Sequence, residues 1–307
     1  MSFFTKIEGM EGRTTVDLHT HSNVSDGDYS PAQLMQEAKK GGLSAIALTD
    51  HDTLGGLKVA QSEAQAIGIH FIPGVEINIR WAGEGDIPGL GPGGEFHLLG
   101  LGIRSPSPAF LAAIDDLSRR REARNREILD RMHELNIEAQ WEDILALAGS
   151  DGSGSYSVGR PHFATLLVNR KIVKTREQAF ARYLKMGKPL YVPKAGLDFA
   201  EAVALIRESG GISVLAHPMS LYVAWGRLPG LVKALKDRGL MGIEAWHPTA
   251  KAKSCRRLEE LGKALGLYIT EGSDFHGIAR PDRKLGRSHR GREIGEVILE
   301  AIPELRC

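Results

Sequence analysis

Residues 17–21 read Asp17-Leu18-His19-Thr20-His21, two imidazoles separated by a single residue. Side chains alternate from face to face along an extended chain, so His19 and His21 project to one side and a single ion can take both. Val16 and Leu18 suit a short strand whose polar residues emerge into a mouth, and Asp26, in a Ser-Asp-Gly turn, can fold back toward it. The logic repeats at 45–52, where a buried-strand run, Ala45 to Leu48, is followed by Thr49-Asp50-His51-Asp52. A strand over 69–72 leads through Gly74 and Val75 to Glu76. His97 opens a further apolar stretch and returns toward Glu76 if that pair of strands is antiparallel. His217 follows the run 212–216, and Asp274 and His276 follow the run 267–270.

Groups at the C-terminal ends of successive strands share one rim of an α/β barrel or open sheet. His19, His21, His51, His97, His217 and His276 are thus expected to meet Asp26, Glu76 and Asp274. Imidazoles and carboxylates without cysteine select borderline to hard divalent ions, Mn²⁺ foremost with Zn²⁺ or Fe²⁺ as alternatives. At about three to four protein ligands per ion, such a set suits two to three ions per chain. Three divalent ions would outweigh three carboxylates, leaving the balance to hydroxide and an anionic ligand such as phosphate. Clustered ions make hydroxide from water, polarise P–O bonds and stabilise a leaving alkoxide, which is the chemistry of a phosphoesterase.

The elements that carry these residues follow a β-α rhythm. Ser30-Pro31-Ala32-Gln33 is a helix start with the ingredients of a capping box, and Gly41-Gly42 ends that helix before the strand 43–48. A second helix is expected over 54–67. Residues 81–94, rich in Gly and Pro, read as a long turn or hairpin. From residue 105 the pattern becomes helical: 108–136 carries apolar residues at helical spacing around an arginine-rich centre, 141–147 follows, then a Gly/Ser loop at 150–157 and a helix opened by Gly159-Arg160-Pro161-His162. The β-α rhythm then resumes, with helices over 228–238 and 254–265 and a docking helix over 293–305. This divides the chain into a barrel, residues 14–104 and 190–307, and an inserted helical subdomain, 105–189.

With 307 residues the chain can build one large barrel and bury a full core. No apolar run nears the roughly 18–20 residues that span a bilayer, so no membrane partner is expected. Lys6, Glu8 and Glu11 leave no hydrophobic signal core, and Cys255 and Cys307 cannot form a disulfide framework, so the expected location is the cytoplasm. Net charge is +1 overall, yet residues 104–189 carry +4. A mildly basic insert suits a small anionic ligand and gives no reason to expect duplex DNA.

These residues resemble a known family. Asp17-Leu18-His19-Thr20-His21, Thr49-Asp50-His51-Asp52, Gly74-Val75-Glu76, Leu215-Ala216-His217-Pro218 and Gly272-Ser273-Asp274-Phe275-His276 are similar, in order along nearly the whole chain, to the motifs of the polymerase and histidinol phosphatase (PHP) superfamily. The resemblance implies a distorted (β/α)7 barrel with a trinuclear metal site. It implies that His19, His21, Glu76 and Asp274 hold one ion, Glu76, His97 and His217 a second, and Asp26, His51 and His276 a third, with Glu76 bridging. The insert with Gly159-Arg160-Pro161-His162, followed by Lys188-Pro189-Leu190-Tyr191-Val192-Pro193, resembles the branch of 3′,5′-nucleoside bisphosphate phosphatases, members of which release the 3′-phosphate of adenosine 3′,5′-bisphosphate and some of which trim short RNA from its 5′ end.

Read from the residues, Arg160 and His162 at a helix N-terminus make a site for a second phosphate, or else Arg160 caps a loop and His162 packs. His247 either binds substrate or protonates the leaving oxygen, or is an ordinary rim residue. Arg119 to Arg131 reads as a solvated face paired with Glu122, Glu127 and Asp130, with Arg124 the member best suited to touch phosphate. Asp17, Asp50 and Asp52 are expected to orient metal-bound imidazoles. The expected activity is a phosphomonoesterase on nucleotides or nucleoside bisphosphates, in which His19, His51, Asp274 and His247 serve catalysis. The alternatives are a 5′-to-3′ exonuclease on short RNA and a non-catalytic, metal-bearing PHP module. An amidohydrolase also begins with His-x-His but usually carries a lysine bridge and lacks the Ser-Asp-Gly and Thr-Asp-His elements.

Overall fold

The computed structural model describes residues 15–80, 94–148, 158–194 and 196–306. The turn expected over 81–94, apart from Gly94, the loop at 150–157, the N-terminal stretch and Cys307 lie outside them.

Seven strands form one sheet in sequence order: β1 (Thr15–Asp17), β2 (Leu43–Leu48), β3 (His70–Asn78), β4 (His97–Leu101), β5 (Ile212–Leu215), β6 (Gly242–Trp246) and β7 (Tyr268–Glu271). β1 to β3 are mutually parallel, as are β5 to β7, whereas β4 runs antiparallel to both its neighbours. A parallel bridge between Thr20 and Phe275, with the His21 N–H donating to the Phe275 carbonyl at 2.9 Å, nearly closes the sheet into a barrel. The reversed β4 is the distortion, and it has a use. Its register sets Asn78 opposite His97 and Glu76 opposite Leu99, so the first residue of β4 returns to the rim that β3 reaches at its end.

Helices α1 (Pro31–Lys40) and α2 (Leu57–Ile67) are the crossovers of the first three strands. Ser30 caps α1, its hydroxyl accepting from the Gln33 N–H at 3.2 Å while the Gln33 side chain accepts from the Ser30 N–H at 3.0 Å. α2 starts at Leu57 rather than at residue 54, and β3 runs unbroken to Asn78, so Glu76 lies within a strand and not beyond one. Between β4 and β5 the chain builds α3 (Pro108–Glu134), α4 (Trp141–Leu147), α5 (Arg160–Asn169), α6 (Arg176–Ala179), which runs on into a wide π turn at Phe180–Leu184, and α7 (Phe199–Glu208). Helices α8 (Leu228–Asp237) and α9 (Ala252–Leu265) complete the second half.

The expected docking helix over 293–305 is reduced to one turn, α10 (Val297–Glu300), and a 3-10 turn at Pro303–Leu305. Gly295 and Pro303 interrupt it. Its apolar residues are nevertheless spent as expected of a docking segment: Ile294, Ile298, Leu299, Ile302 and Leu305 pack against Val16, Ala45, Ile72 and Val214 of the barrel interior.

The inserted helices have an apolar cluster of their own, with Ile128, Met132, Ile144, Phe163, Leu167, Leu184 and Leu190 buried together. Phe163 is 0% exposed at its centre. Phe163→Ala is therefore expected to lower stability by about 3–5 kcal/mol in urea unfolding. A cost under about 1 kcal/mol would mean that this cluster is not a packed core.

Candidate metal centre

Nearly every site residue sits at or just beyond a strand end, where ladder hydrogen bonds fix the backbone and the side chains emerge together. β1 delivers His19 and His21, β2 delivers His51, β5 His217, β6 His247, and β7 Asp274 and His276, while β4 begins with His97. Gly272 is what lets the end of β7 come so close, because a Cβ there would lie 2.3 Å from the Cβ of His19.

Glu76 is the hub. Its Oε2 lies 3.3 Å from His19 Nε2, 3.3 Å from His21 Nε2 and 3.0 Å from His51 Nδ1. Its Oε1 lies 2.7 Å from His97 Nδ1 and 2.8 Å from His217 Nε2. Asp274 Oδ1 lies 3.2 Å from His21 Nε2 and 3.4 Å from His276 Nδ1, and Asp26 Oδ1 lies 3.3 Å from His276 Nε2. All nine residues expected to converge do so.

Several of these atoms are close without being bonded. His19 Nε2, His21 Nε2, His51 Nδ1, Glu76 Oε2 and Asp26 Oδ1 are buried and have no hydrogen-bond partner, although opposite groups stand within reach. Buried polar atoms are rarely left so, and lone pairs aimed at shared points are what a cation requires. Among the described residues three overlapping groups could each hold an ion: His21, Asp26, His51 and His276; His19, His21 and Glu76; and His51, Glu76 and His97. The donor set fits divalent ions.

The outer hydrogen bonds fix which imidazole nitrogen faces inward. His19 Nδ1 lies 2.9 Å from Glu244, which can only accept, so the N–H is there and Nε2 turns to Glu76. Ser220 donates to the Glu95 carbonyl at 3.0 Å and therefore accepts from His217 Nδ1 at 2.7 Å, again leaving Nε2 inward. His276 Nδ1 donates to the Asp274 carbonyl at 2.7 Å. Burial alone would lower the pKa of His19, but Glu244 and Glu76 outweigh it and raise it to about 10. Burial would raise that of Glu244, yet His19 and then His247 take it down to about 2. Glu244 is thus held as a carboxylate behind His19.

Asp17, Asp50 and Asp52 do not orient imidazoles. Asp17 accepts from the N–H groups of Ser273 (3.0 Å) and Gly286 (2.8 Å), Asp50 from Ser22 and Ser25, and Asp52 from Asn78 and Arg121, so they shape the loops that carry the ligands. The task expected of them falls largely to Glu244, which the sequence reading missed. The available signal was a lone carboxylate inside the buried strand Gly242-Ile243-Glu244-Ala245-Trp246. Arg283, buried against Asp274, was also missed, and no local pattern marks it.

A cavity of ≈ 400 Å³ opens over the cluster, and its far wall comes from the inserted helices. Arg160 reaches it from α5 and Arg121 and Arg124 from α3, while Phe180, Lys194 and Tyr222 complete the rim. The arginine-rich face divides. Arg126 and Arg131 pair with Glu122 and Glu127 in solvent, but Arg121 pairs with Asp52 and Arg124 is buried, its guanidinium bonded to Asn125 Oδ1 at 2.6 Å. No carboxylate pairs with Arg124 among the described residues, and burial lowers its pKa to about 9, still cationic at neutral pH. His162 turns away from this role: its Nδ1 accepts from the Gly159 N–H at 2.9 Å, capping its own helix. His247 lines the cavity, with Nε2 3.2 Å from Asp274 and Nδ1 2.8 Å from Thr249.

Comparison with known proteins agrees with this architecture. A model of the PHP domain matches residues 17–186. The chain is 34% identical to a 5′-3′ exoribonuclease of Haemophilus influenzae, over 85% of this chain and 89% of that protein. It is 29% identical to a 3′,5′-nucleoside bisphosphate phosphatase of Chromobacterium violaceum, over 89% and 91%. A solved structure from Bifidobacterium adolescentis, described as a metal-dependent phosphoesterase, superposes with a TM-score of 0.80 at 25% identity, covering 95% of this chain and 96% of that one.

Glu244→Gln keeps the shape but removes the charge behind His19. The expected outcome is a roughly 10- to 100-fold weaker uptake of Mn²⁺ in calorimetric titration. Unchanged affinity would remove Glu244 from the centre.

Proposed function

This chain belongs to the PHP family and is a metal-dependent phosphoester hydrolase, and from that premise we propose that it removes the 3′-phosphate of nucleoside 3′,5′-bisphosphates such as adenosine 3′,5′-bisphosphate, yielding AMP and phosphate. Arg124 and Arg160, which the inserted helices bring to the cavity that the imidazole and carboxylate cluster also lines, are the observation that carries this reading, with Lys194 beside them, its Nζ 3.2 Å from His97 Nε2. A volume of ≈ 400 Å³ suits a single nucleotide. Cations on the wall opposite the cluster suit a substrate with an anionic group at each end.

In this reading His19, His21, Glu76 and Asp274, then Glu76, His97 and His217, then Asp26, His51 and His276 hold up to three divalent ions, Mn²⁺ foremost. Such ions supply Lewis-acid polarisation of the phosphoryl group and activation of water. The chain's own groups do the rest. Arg160 and Lys194, with Arg124 behind them, bind the remote phosphate and so orient the 3′-phosphate over the cluster. His247, braced by Thr249 and Asp274, hydrogen-bonds the leaving oxygen. Burial holds its pKa well below the usual range, so it rests neutral and can still donate an N–H.

The relatives named as exoribonucleases favour a second reading, the release of nucleotides from the 5′ end of short RNA on the same centre.

The test compares phosphate release from adenosine 3′,5′-bisphosphate, AMP and histidinol phosphate with nucleotide release from a short 5′-phosphorylated RNA, using Mn²⁺-loaded enzyme. The bisphosphate is expected to be turned over fastest, and faster turnover of the RNA would favour the second reading. His19→Ala is expected to abolish all turnover. Arg160→Ala is expected to raise KM for the bisphosphate roughly 10- to 100-fold, the worth of a charge-assisted hydrogen bond, with kcat little changed. Equal loss on adenosine 3′-monophosphate would contradict that role for Arg160.

A further inference from the structure

Arg160 and Lys194 do not wait empty in the free protein. Arg160 Nη2 lies 2.7 Å and Lys194 Nζ 3.2 Å from the same atom, Glu95 Oε1. One carboxylate oxygen thus bridges two cations that line the cavity, Arg160 from the inserted helices and Lys194, whose Nζ also lies 3.2 Å from His97 Nε2, in the manner expected of an oxygen of a bound phosphate. Glu95 is itself part of the cavity lining.

Its backbone and its side chain are held very differently. The Glu95 N–H donates to the Ser220 carbonyl at 3.0 Å, and the Glu95 carbonyl accepts from the Ser220 hydroxyl at 3.0 Å. Gly94 packs so closely on the same strap that a Cβ there would come within 1.9 Å of the Ser220 carbonyl oxygen. The backbone is therefore pinned, through Ser220, to the loop that carries His217. The Glu95 side chain, in contrast, is 48% exposed, whereas that of Arg160 is 10% exposed. The cation is seated and the carboxylate can rotate out into solvent.

We infer that Glu95 is an internal stand-in for the substrate's second anionic group: it fills the seat between Arg160 and Lys194 in the free protein and must swing out when a phosphate arrives. This rests on the reading that the cationic wall takes the remote phosphate, and it names how that seat selects. A phosphate cannot share the seat with Glu95, since two anions would lie at hydrogen-bond distance from the same donors. A ligand with too little charge to replace the carboxylate leaves it in place and finds the cavity narrowed. A dianionic phosphate offers more charge and more acceptor oxygens than one carboxylate, and so wins the exchange. Glu95 is thus a specificity-determining residue that holds the two cations ready and sets a threshold for occupation.

The test titrates inorganic sulfate into the metal-free protein by calorimetry, so that neither turnover nor a bound metal enters the readout. Glu95→Gln keeps the shape and removes the competing charge. It is expected to tighten sulfate binding roughly 3- to 30-fold, the release of two partly exposed ion pairs. The gain should vanish in the double variant Glu95→Gln with Arg160→Ala. With Mn²⁺-loaded enzyme, Glu95→Gln should lower KM for adenosine 3′,5′-bisphosphate. Sulfate binding that is unchanged or weaker in Glu95→Gln would overturn the inference, because a carboxylate that merely positions Arg160 predicts weaker binding. If the enzyme proves not to hydrolyse the bisphosphate, the sulfate titration still reads the seat by itself.

Discussion

A carboxylate and a ring of imidazoles buried at one end of a barrel set the terms for the rest of this molecule. Glu76 is 1% exposed, and five histidine nitrogens lie within 3.3 Å of its two oxygens. Burial opposes its charge, and only the histidines His51, His97 and His19 around it hold its pKa well below the usual range. Such a group is costly in the interior unless something cationic shares the space. The inward nitrogens of His19 and His21 lack hydrogen-bond partners and each lies 3.3 Å from Glu76 Oε2, an arrangement that suits ligands gathered around a cation. That it is kept inside a folded protein is intelligible if folding energy gained elsewhere, in the apolar clusters around the strands, supports a cluster built to take up metal.

The architecture follows from that need. Parallel strands send their C-terminal ends to one rim, and His97, the first residue of β4, would lie at the opposite rim if β4 ran parallel to β3. Reversing β4 brings His97 back beside β3, and because both edges of β4 stay paired the reversal exposes no strand edge. Glu244 then acts at one remove. From within β6 it accepts from His19 Nδ1 and, at 2.6 Å, from the His217 N–H, so one carboxylate sets the orientation of one ligand and the backbone of another. The inserted helices add a wall rather than ligands: their own apolar cluster keeps α3 and α5 in place, so the guanidinium groups of Arg124 and Arg160 hold position opposite the cluster.

Much of this was legible in the sequence because the signals are local. Short apolar runs followed by His or Asp identify strand ends, and a barrel gathers strand ends without any detail of packing; hence the nine converging residues could be named from spacing and resemblance. Residues whose role depends on a partner far along the chain were not legible. Glu244 acts 225 residues from His19, and Lys194 and Glu95 meet only after the inserted helices have folded. The arginine-rich helix shows the same limit. Its composition suggested a solvated face, which is right for Arg126 and Arg131, but Arg121 and Arg124 lie on the side that turns inward, and only tertiary packing decides that. The end of the chain failed for a local reason: its apolar spacing suggested a helix, whereas Gly295 and Pro303 break it while leaving the same apolar residues to plug the barrel.

Glu76 would serve more than one cation at once, and the number of ions bound per chain is the quantity that decides it. Divalent metal per chain would be measured by elemental analysis of protein equilibrated with Mn²⁺ and desalted, for the native chain and for Glu76→Ala. Two to three ions are expected in the native protein and no more than one in the variant, with the fold intact by circular dichroism. A variant that keeps the full complement, or a native chain that takes up no divalent metal, would contradict it.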